Sequence, residues 1–288
     1  MDVVTARPRT RPERPGPRVS GPGTACGPHR VTSLPHPAGR TPDGRARRPS
    51  PPVADGRMEP VPRKEVTIMR IVIAGGHGQI ALRLERLLTA RGDQAVGLVR
   101  RPEQAEDLRA AGARPVVCDL ESASVRQVAD HLAGADAVVF AAGAGPRSGA
   151  ARKDTVDRAA AVLLADAAQT AGVRRFLMIS GKGVGDEPPL GTDPVFAAYL
   201  RAKERADADL RSREALDWTI LRPGRLTDDP GTGRVALAES TPPGDVTRDD
   251  VAAVLLALLD EPGTAGLTLE LTGGDVPVAD AVRSAAAG

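Results

Sequence analysis

Residues 71–84, IVIAGGHGQIALRL, join an apolar run, a glycine-rich turn and the opening of a Leu/Arg-patterned helix. Ile71 to Ala74 read as a buried strand, and from Ile80 onward the apolar positions recur at helical spacing. Between the two, Gly75, Gly78 and Ala81 form G-x-x-G-x-x-A. A glycine at such a turn lets backbone approach a pyrophosphate where a Cβ would block it. The helix N-terminus behind it adds amide donors and a positive dipole. Alone, the motif serves equally well as a tight structural turn, so its meaning depends on what surrounds it.

What surrounds it is an alternation. RIVIAG (70–75) is followed by the helix pattern IALRLERLLTARG (80–92), closed by Gly92. QAVGLVR (94–100) is a second strand, and PEQAEDLRAAG a second helix with Pro102 in its first turn. RPVVCDL (114–120), SVRQVADHLAG, ADAVVFAAG (135–143), DTVDRAAAVLLADAAQTAG (154–172) and VRRFLMIS (173–180) continue it. Continuous Val/Ile/Leu strands separated by helices predict a parallel sheet covered on both faces. Right-handed crossovers make that an α/β fold of Rossmann type, a doubly wound parallel sheet in a single domain over 69–288. RLTDDPGTGRVALAES and the segment after it predict a small C-terminal substrate-side lobe, whose helix 248–260 and strand 267–272 end the fold.

Residues 1–68 differ in kind. They hold 14 of the 26 prolines and 13 basic against 6 acidic residues, a net of about +7, while the remainder carries about −5. Stretches such as RPRTRPERPGPRVSGPG have no apolar period with which to offset chain entropy. They read as a disordered Pro/Arg-rich extension ahead of Met69, which stands one residue before the first strand. The absence of interleaved aromatic residues argues against a nucleic-acid-binding arm. No apolar run of about 18 residues and no secretory pattern is present, so a cytoplasmic protein without membrane contact is expected. Cys26 and Cys118, with four scattered histidines, suit neither a disulfide framework nor a metal centre.

In this context the glycine loop, at the first strand–helix turn, predicts dinucleotide binding. The second strand ends in Arg100 and Arg101 rather than an acidic residue that would accept from both ribose hydroxyls. A guanidinium fork matches a 2′-phosphate, so NADP(H) is expected over NAD(H). Asp119, ending the third strand, can accept from the adenine amino group or cap the turn that follows.

The only tyrosine, Tyr199, stands four residues before Lys203 in YLRAK, and the chain has just four lysines. One helical turn apart, the two side chains share a face. An ammonium beside a phenol would lower its pKa toward the working pH, where it passes a proton. Ser180 ends the fifth strand at the carboxyl edge, where such sheets bind ligands, and can hold a substrate carbonyl oxygen. Lys182 lies close by, His77 is expected as a solvated loop side chain, and Trp218 as core packing.

GGHGQIA, LVRR, CDLE, VFAAGAG, TVDRAAAVLLADAAQTAGVRRFLMIS, YLRAKERADADL and LDWTILRPGRLTDDPGTG together resemble the short-chain dehydrogenase/reductase superfamily, most closely its atypical NAD(P)H-binding, NmrA-like branch. The resemblance covers about 69–288. It implies that Gly75, Gly78, Gln79 and Ile80 line the pyrophosphate and that Asp119 and Leu120 sit by adenine. It implies further that Ala141, Ala142 and Gly143 pass under the ribose and that Pro223 borders the nicotinamide. Tyr199 would be the proton donor, Lys203 the ribose ligand and pKa depressant, and Ser180 the carbonyl orienter. Asp157 stands where many relatives carry a helix asparagine. The expectation is an NADPH-dependent oxidoreductase acting on a small carbonyl- or quinone-type molecule, as monomer or homodimer. Two alternatives are an NAD-dependent nucleotide-sugar epimerase or dehydratase and a non-catalytic NAD(P)H-sensing regulator.

Overall fold

A computed structural model of the chain describes residues 68–145, 148–187 and 191–288. The Pro/Arg-rich extension expected to be disordered lies outside the described residues, except for Ile68.

The first half winds as β1 (Arg70–Ala74), α1 (Gln79–Arg91), β2 (Gln94–Val99), α2 (Ala105–Ala110), β3 (Arg114–Val117), α3 (Val125–Leu132) and β4 (Ala137–Phe140). A helical segment then runs without a break through α4 (Ala150–Arg152), a wide π-type stretch Lys153–Ala159, and α5 (Ala160–Ala171). It leads to β5 (Arg175–Ile179), α6 (Pro194–Arg211) and β6 (Asp217–Pro223). The parallel strands lie in the order β3-β2-β1-β4-β5-β6. The doubly wound sheet is therefore present, and its order reverses between β1 and β4, where the ends of two neighbouring strands open a crevice.

Alternation along β1 fixes the two layers. Ile71 and Ile73 face a core with Leu84 and Leu88 of α1, whereas Val72 and Ala74 face Leu132 of α3 and Leu164 of α5. All four strand residues are fully buried, and burying each isoleucine contributes roughly 1.5–3 kcal/mol. Local signals agree with the boundaries. Gly92 closes α1 with φ of 95°, Ser124 and Gln127 make a capping box at α3, and Asp193 accepts from Phe196 N–H at α6, with Pro194 in the first turn.

After β6 come β7 (Arg225–Thr227), β8 (Arg234–Ala238), β9 (Asp245–Thr247), α7 (Arg248–Leu259), β10 (Leu267–Gly273), β11 (Val276–Pro277) and α8 (Val278–Ala287). Of the segment expected as a small lobe, β7 and β9 pair with each other beside the crevice. The rest extends the main sheet: β10 pairs parallel with β6, and β8 antiparallel with β10 and β11. The fold thus ends with α8, whose Ala281 and Val282 enter the same core layer as α1 and α7, and not with the strand at 267–272. No helix among the described residues is long and apolar enough to cross a membrane.

Candidate functional site

The carboxyl ends of β1 and β4 nearly touch. Gly75 sits at φ of 80°, and a Cβ added to it would lie 2.6 Å from Ala142 Cα and 2.7 Å from Ala142 N. No side chain fits there. Gly78 N–H donates to Gly75 O at 2.8 Å, closing the turn that starts α1. Gly78 is the N-cap, no side chain caps that end, and the first turn holds no acidic residue. The first amides of α1, which lack helical acceptors, are left available to an anion.

Two cavities meet at this loop. One, of about 290 Å³, is lined by Gly75, Gly78, Arg100, Asp119, Leu120 and Ala141 to Gly143. The other, of about 750 Å³, shares Ala141 to Gly143 and reaches Ile80, Ser180, Tyr199, Lys203 and Pro223. The waist shared by the two cavities is Ala141 to Gly143, and the glycine turn borders the smaller of them. This split groove fits a dinucleotide, with the adenosine half in the smaller cavity and the nicotinamide half in the larger. Gln79 has an exposed side chain that borders neither cavity, so only its backbone amide, the first of α1, faces the turn's anion site.

The two arginines after β2 part company. Arg100 lines the smaller cavity, while Arg101, exposed, does not and opens the short turn Pro102–Gln104. The second arginine on the cavity wall is Arg152 of α4, which pairs with Glu121. Asp119 combines both readings given to it, lining the cavity while its Oδ1 accepts from Glu121 N–H at 3.1 Å. His77 is not simply solvated, because its Nε2 is 2.7 Å from Asp107 Oδ2.

In the larger cavity, Ser180, Tyr199 and Lys203 come together, but not in the expected electrostatic relation. Lys203, buried, donates from Nζ to Ile179 O at 2.9 Å and lies 3.6 Å from Asp157 Oδ1. Burial pushes its ammonium down, against the pull of Asp157 and Asp207. The Tyr199 phenol is not lowered toward neutrality; it is pushed up to about 12, first by burial and then by the carboxylates of Asp157 and Asp207. The lysine is turned toward a carbonyl and a carboxylate, and the negative charges near the phenol prevail. Lys153 Nζ lies over the tyrosine ring, 5.4 Å from its centroid, and donates to Gly145 O at 2.7 Å. Gly181 makes room for the phenol: a Cβ there would stand 3.0 Å from the Tyr199 hydroxyl.

Ser180 is held by its own N–H donating to Leu221 O at 2.8 Å. Its Oγ is buried with no hydrogen bond of standard geometry. It lies near enough to Asp207 to favour the ionised carboxyl, although burial raises that group overall. Arg222 donates to Asp207 Oδ2 from Nε at 3.0 Å and Nη2 at 2.8 Å. Lys182 is spent elsewhere, ion-paired with Glu270 and donating to Thr241 O at 2.5 Å.

Lys153, Arg152, Asp157 and Thr155 all come from the start of the helical segment after β4. The π-type stretch Lys153–Ala159 widens the helix there, a deformation frequent at functional sites. Lys153 and Asp157, four residues apart, both line the larger cavity. That spacing was the available signal in ARKDTVD, and the sequence reading passed over Lys153 and Arg152.

Residues 75–262 match the model of a family described as NAD(P)H-binding. The chain belongs to that family. The uncharacterized sugar epimerase YhfK of Bacillus subtilis is 37% identical over 216 residues, 75% of this chain and 99% of the relative. A solved structure of a candidate NAD-dependent epimerase/dehydratase from Bacillus halodurans is 37% identical. It superposes with a TM-score of 0.69, covering 75% of this chain and 99% of that one. An NAD(P)H azoreductase of Xenophilus azovorans is 28% identical over 212 residues, 70% of this chain and 68% of the relative. The fold is that of the NAD(P)H-binding oxidoreductases, in agreement with the resemblance to the atypical short-chain dehydrogenase/reductase branch.

Proposed function

We propose that the protein is an NADPH-dependent reductase of a small carbonyl- or quinone-type molecule, with Tyr199 as the proton donor. The observation that supports this reading is geometric: Ser180, Tyr199 and Lys203 line one cavity, which shares Ala141 to Gly143 with the cavity beside the glycine loop. A tyrosine is protonated at neutral pH even at its ordinary value, and burial, which pushes Tyr199 up to about 12, keeps it so, the state an acid needs before it gives its proton. An oxidation or a sugar epimerisation would begin by removing a proton, and a neutral phenol is poorly prepared for that.

NADPH, bound across the two cavities, supplies a hydride. The chain's residues do the rest. The glycine cradle and the first amides of α1 hold the pyrophosphate. Arg100 meets the 2′-phosphate, Asp119 and Leu120 border the adenine, and Ala141 to Gly143 support the ribose. Pro223 closes the nicotinamide end. Lys203, anchored on Ile179 O, would hold the ribose hydroxyls, a positioning role in place of pKa depression. Ser180 Oγ, buried at the cavity wall and short of a partner, accepts the task of orienting the acceptor oxygen. As negative charge develops on that oxygen, the Tyr199 hydroxyl donates its proton, because an alkoxide is a stronger base than a phenolate.

A second reading, an NAD-dependent sugar epimerase, is favoured by the name of YhfK. One set of measurements separates the two. Tyr199 is the only tyrosine in the chain, so phenolate absorbance reports it without ambiguity. We expect no phenolate band through about pH 10, the ordinary tyrosine midpoint. We also expect NADPH consumption with a carbonyl or quinone panel, and a loss of about 10²–10⁴-fold in Tyr199→Phe with nucleotide affinity retained. A phenol that titrates near neutrality, with sugar epimerisation in place of NADPH consumption, would overturn the reductase reading. Binding of NADPH without any turnover, unchanged in Tyr199→Phe, would mark a nucleotide sensor.

A further inference from the structure

The adenosine end of the groove carries a charge cluster of which the reading above uses only Arg100. Glu121 follows β3, Arg100 follows β2, and Arg152 and Thr155 come from the helical segment after β4. Thr155 Oγ1 donates to Glu121 Oε1 at 2.7 Å. Arg152 Nη2 pairs with Glu121 Oε2, and Arg100 Nη1 lies 3.9 Å from the same oxygen. Two guanidinium groups from different elements thus converge on one carboxylate oxygen. Arg100, Glu121 and Arg152 all line the cavity. The hydrogen bond from Arg152, chief among several causes, holds the Glu121 carboxyl below the usual range. The remaining charged groups on that wall are Asp119, which receives Glu121 N–H, and His77 with its partner Asp107.

We infer that Glu121 is a built-in competitor for the 2′-phosphate: its carboxylate occupies the two-arginine site of Arg100 and Arg152, and a nucleotide 2′-phosphate displaces it. A phosphate monoester carries more charge and more acceptor oxygens than a carboxylate, so it takes over both guanidinium groups. The displaced Glu121 side chain already has 28% of its surface in solvent, which lets it turn outward. NADH brings no such group, leaves the cluster intact and binds without the exchange. Glu121 therefore lowers the NADPH-over-NADH preference below what the two arginines alone would give, and Arg152 fills the role that sequence assigned to Arg101.

This inference rests on the NADPH reading, and the test keeps the two apart. Calorimetry would give dissociation constants for NADPH and NADH in the full chain and in Glu121→Gln, Arg152→Ala and Arg100→Ala. Gln keeps the size of the side chain and its contact with Thr155. We expect Glu121→Gln to tighten NADPH by about three- to tenfold, the scale of a half-exposed charge contact, and to leave NADH nearly unchanged. Arg152→Ala should weaken NADPH at least about tenfold and leave NADH little changed. If Glu121→Gln leaves the ratio of the two affinities unchanged, or weakens NADPH, the competitor role is wrong. If Arg100→Ala also leaves the wild-type ratio intact, the NADPH reading itself falls. If Arg100→Ala collapses the ratio while Glu121→Gln does not move it, only the inference about Glu121 falls.

Discussion

Adding one methyl group at Gly75 should damage both the fold and the nucleotide site, and a second glycine provides its control. At Gly75 the backbone is left-handed, φ 80°, and the new Cβ would stand 2.6 Å from Ala142 Cα. The left-handed conformation costs an alanine about 1–2 kcal/mol. The overlap is with backbone, which cannot rotate away, so β1 and β4 must part at their carboxyl ends, at a further 1–3 kcal/mol or so. Gly92 shares the left-handed conformation, φ 95°, but a Cβ there meets nothing within 4 Å. Gly92→Ala should therefore cost only the first amount. Urea unfolding followed by circular dichroism should place Gly75→Ala about 1–3 kcal/mol below Gly92→Ala, several degrees in melting temperature for a domain of this size. The same titrations with NADPH at about a hundredfold excess over its dissociation constant should stabilise wild type and Gly92→Ala by about 2.7 kcal/mol. Gly75→Ala should show much less. Equal losses in the two variants, or an undiminished NADPH increment in Gly75→Ala, would refute the cradle.

Two further outcomes follow from buried acids. Glu85, fully buried beneath the glycine turn with neither carboxyl oxygen partnered, has its pKa raised by burial to about 8. The folded state thus binds a proton that the unfolded chain has released between about pH 4.5 and 8, so this residue erodes stability as pH rises through that window, by a few kcal/mol in all. Urea titrations at several pH values should show Glu85→Gln gaining on wild type from pH 5 to 8; parallel profiles would contradict it. Asp250, also buried, accepts from Gly233 N at 2.8 Å, Thr232 N at 3.0 Å and Thr247 Oγ1 at 3.0 Å. Asp250→Ala should cost about 2–3 kcal/mol, and a loss below half a kcal/mol in denaturant unfolding would show those bonds to be dispensable.

The parts of the molecule legible in the sequence are those set by local pattern. Strand–helix alternation gave the sheet, and the G-x-x-G-x-x-A turn gave the switch point between β1 and β4. The four-residue spacing of Tyr199 and Lys203 put both on one wall of a cavity. The GTG of DDPGTG is explained only by contacts: a Cβ at Gly231 would lie 2.9 Å from Asp249 Cβ, and the next two backbone amides bind Asp250. What stayed hidden depends on partners far away in the chain. Lys182 looked available beside Ser180, but its charge is met by Glu270, 88 residues on. Arg101 looked equivalent to Arg100, yet only Arg100 lines the cavity. Local periodicity also could not show that the helix after β4 widens over Lys153–Ala159.

The largest departure, the raised phenol of Tyr199, changes what the Tyr/Lys pair is for. A lysine four residues on does share a helix face with the tyrosine, but sharing a face does not fix where a four-carbon stem ends. Here it ends at Ile179 O and Asp157, so its charge is largely spent before it reaches the phenol. Asp157 then acts in both directions, raising the lysine and the tyrosine together. An asparagine at that position would hold the same hydrogen-bond geometry without the charge, leaving the phenol easier to ionise. The carboxylate thus biases the site toward a tyrosine that keeps its proton until an acceptor oxygen becomes more basic than a phenolate. That bias suits reduction, and it follows first from the burial of the phenol and then from two carboxylates, Asp157 and Asp207, that neither the glycine loop nor the Tyr/Lys spacing reveals.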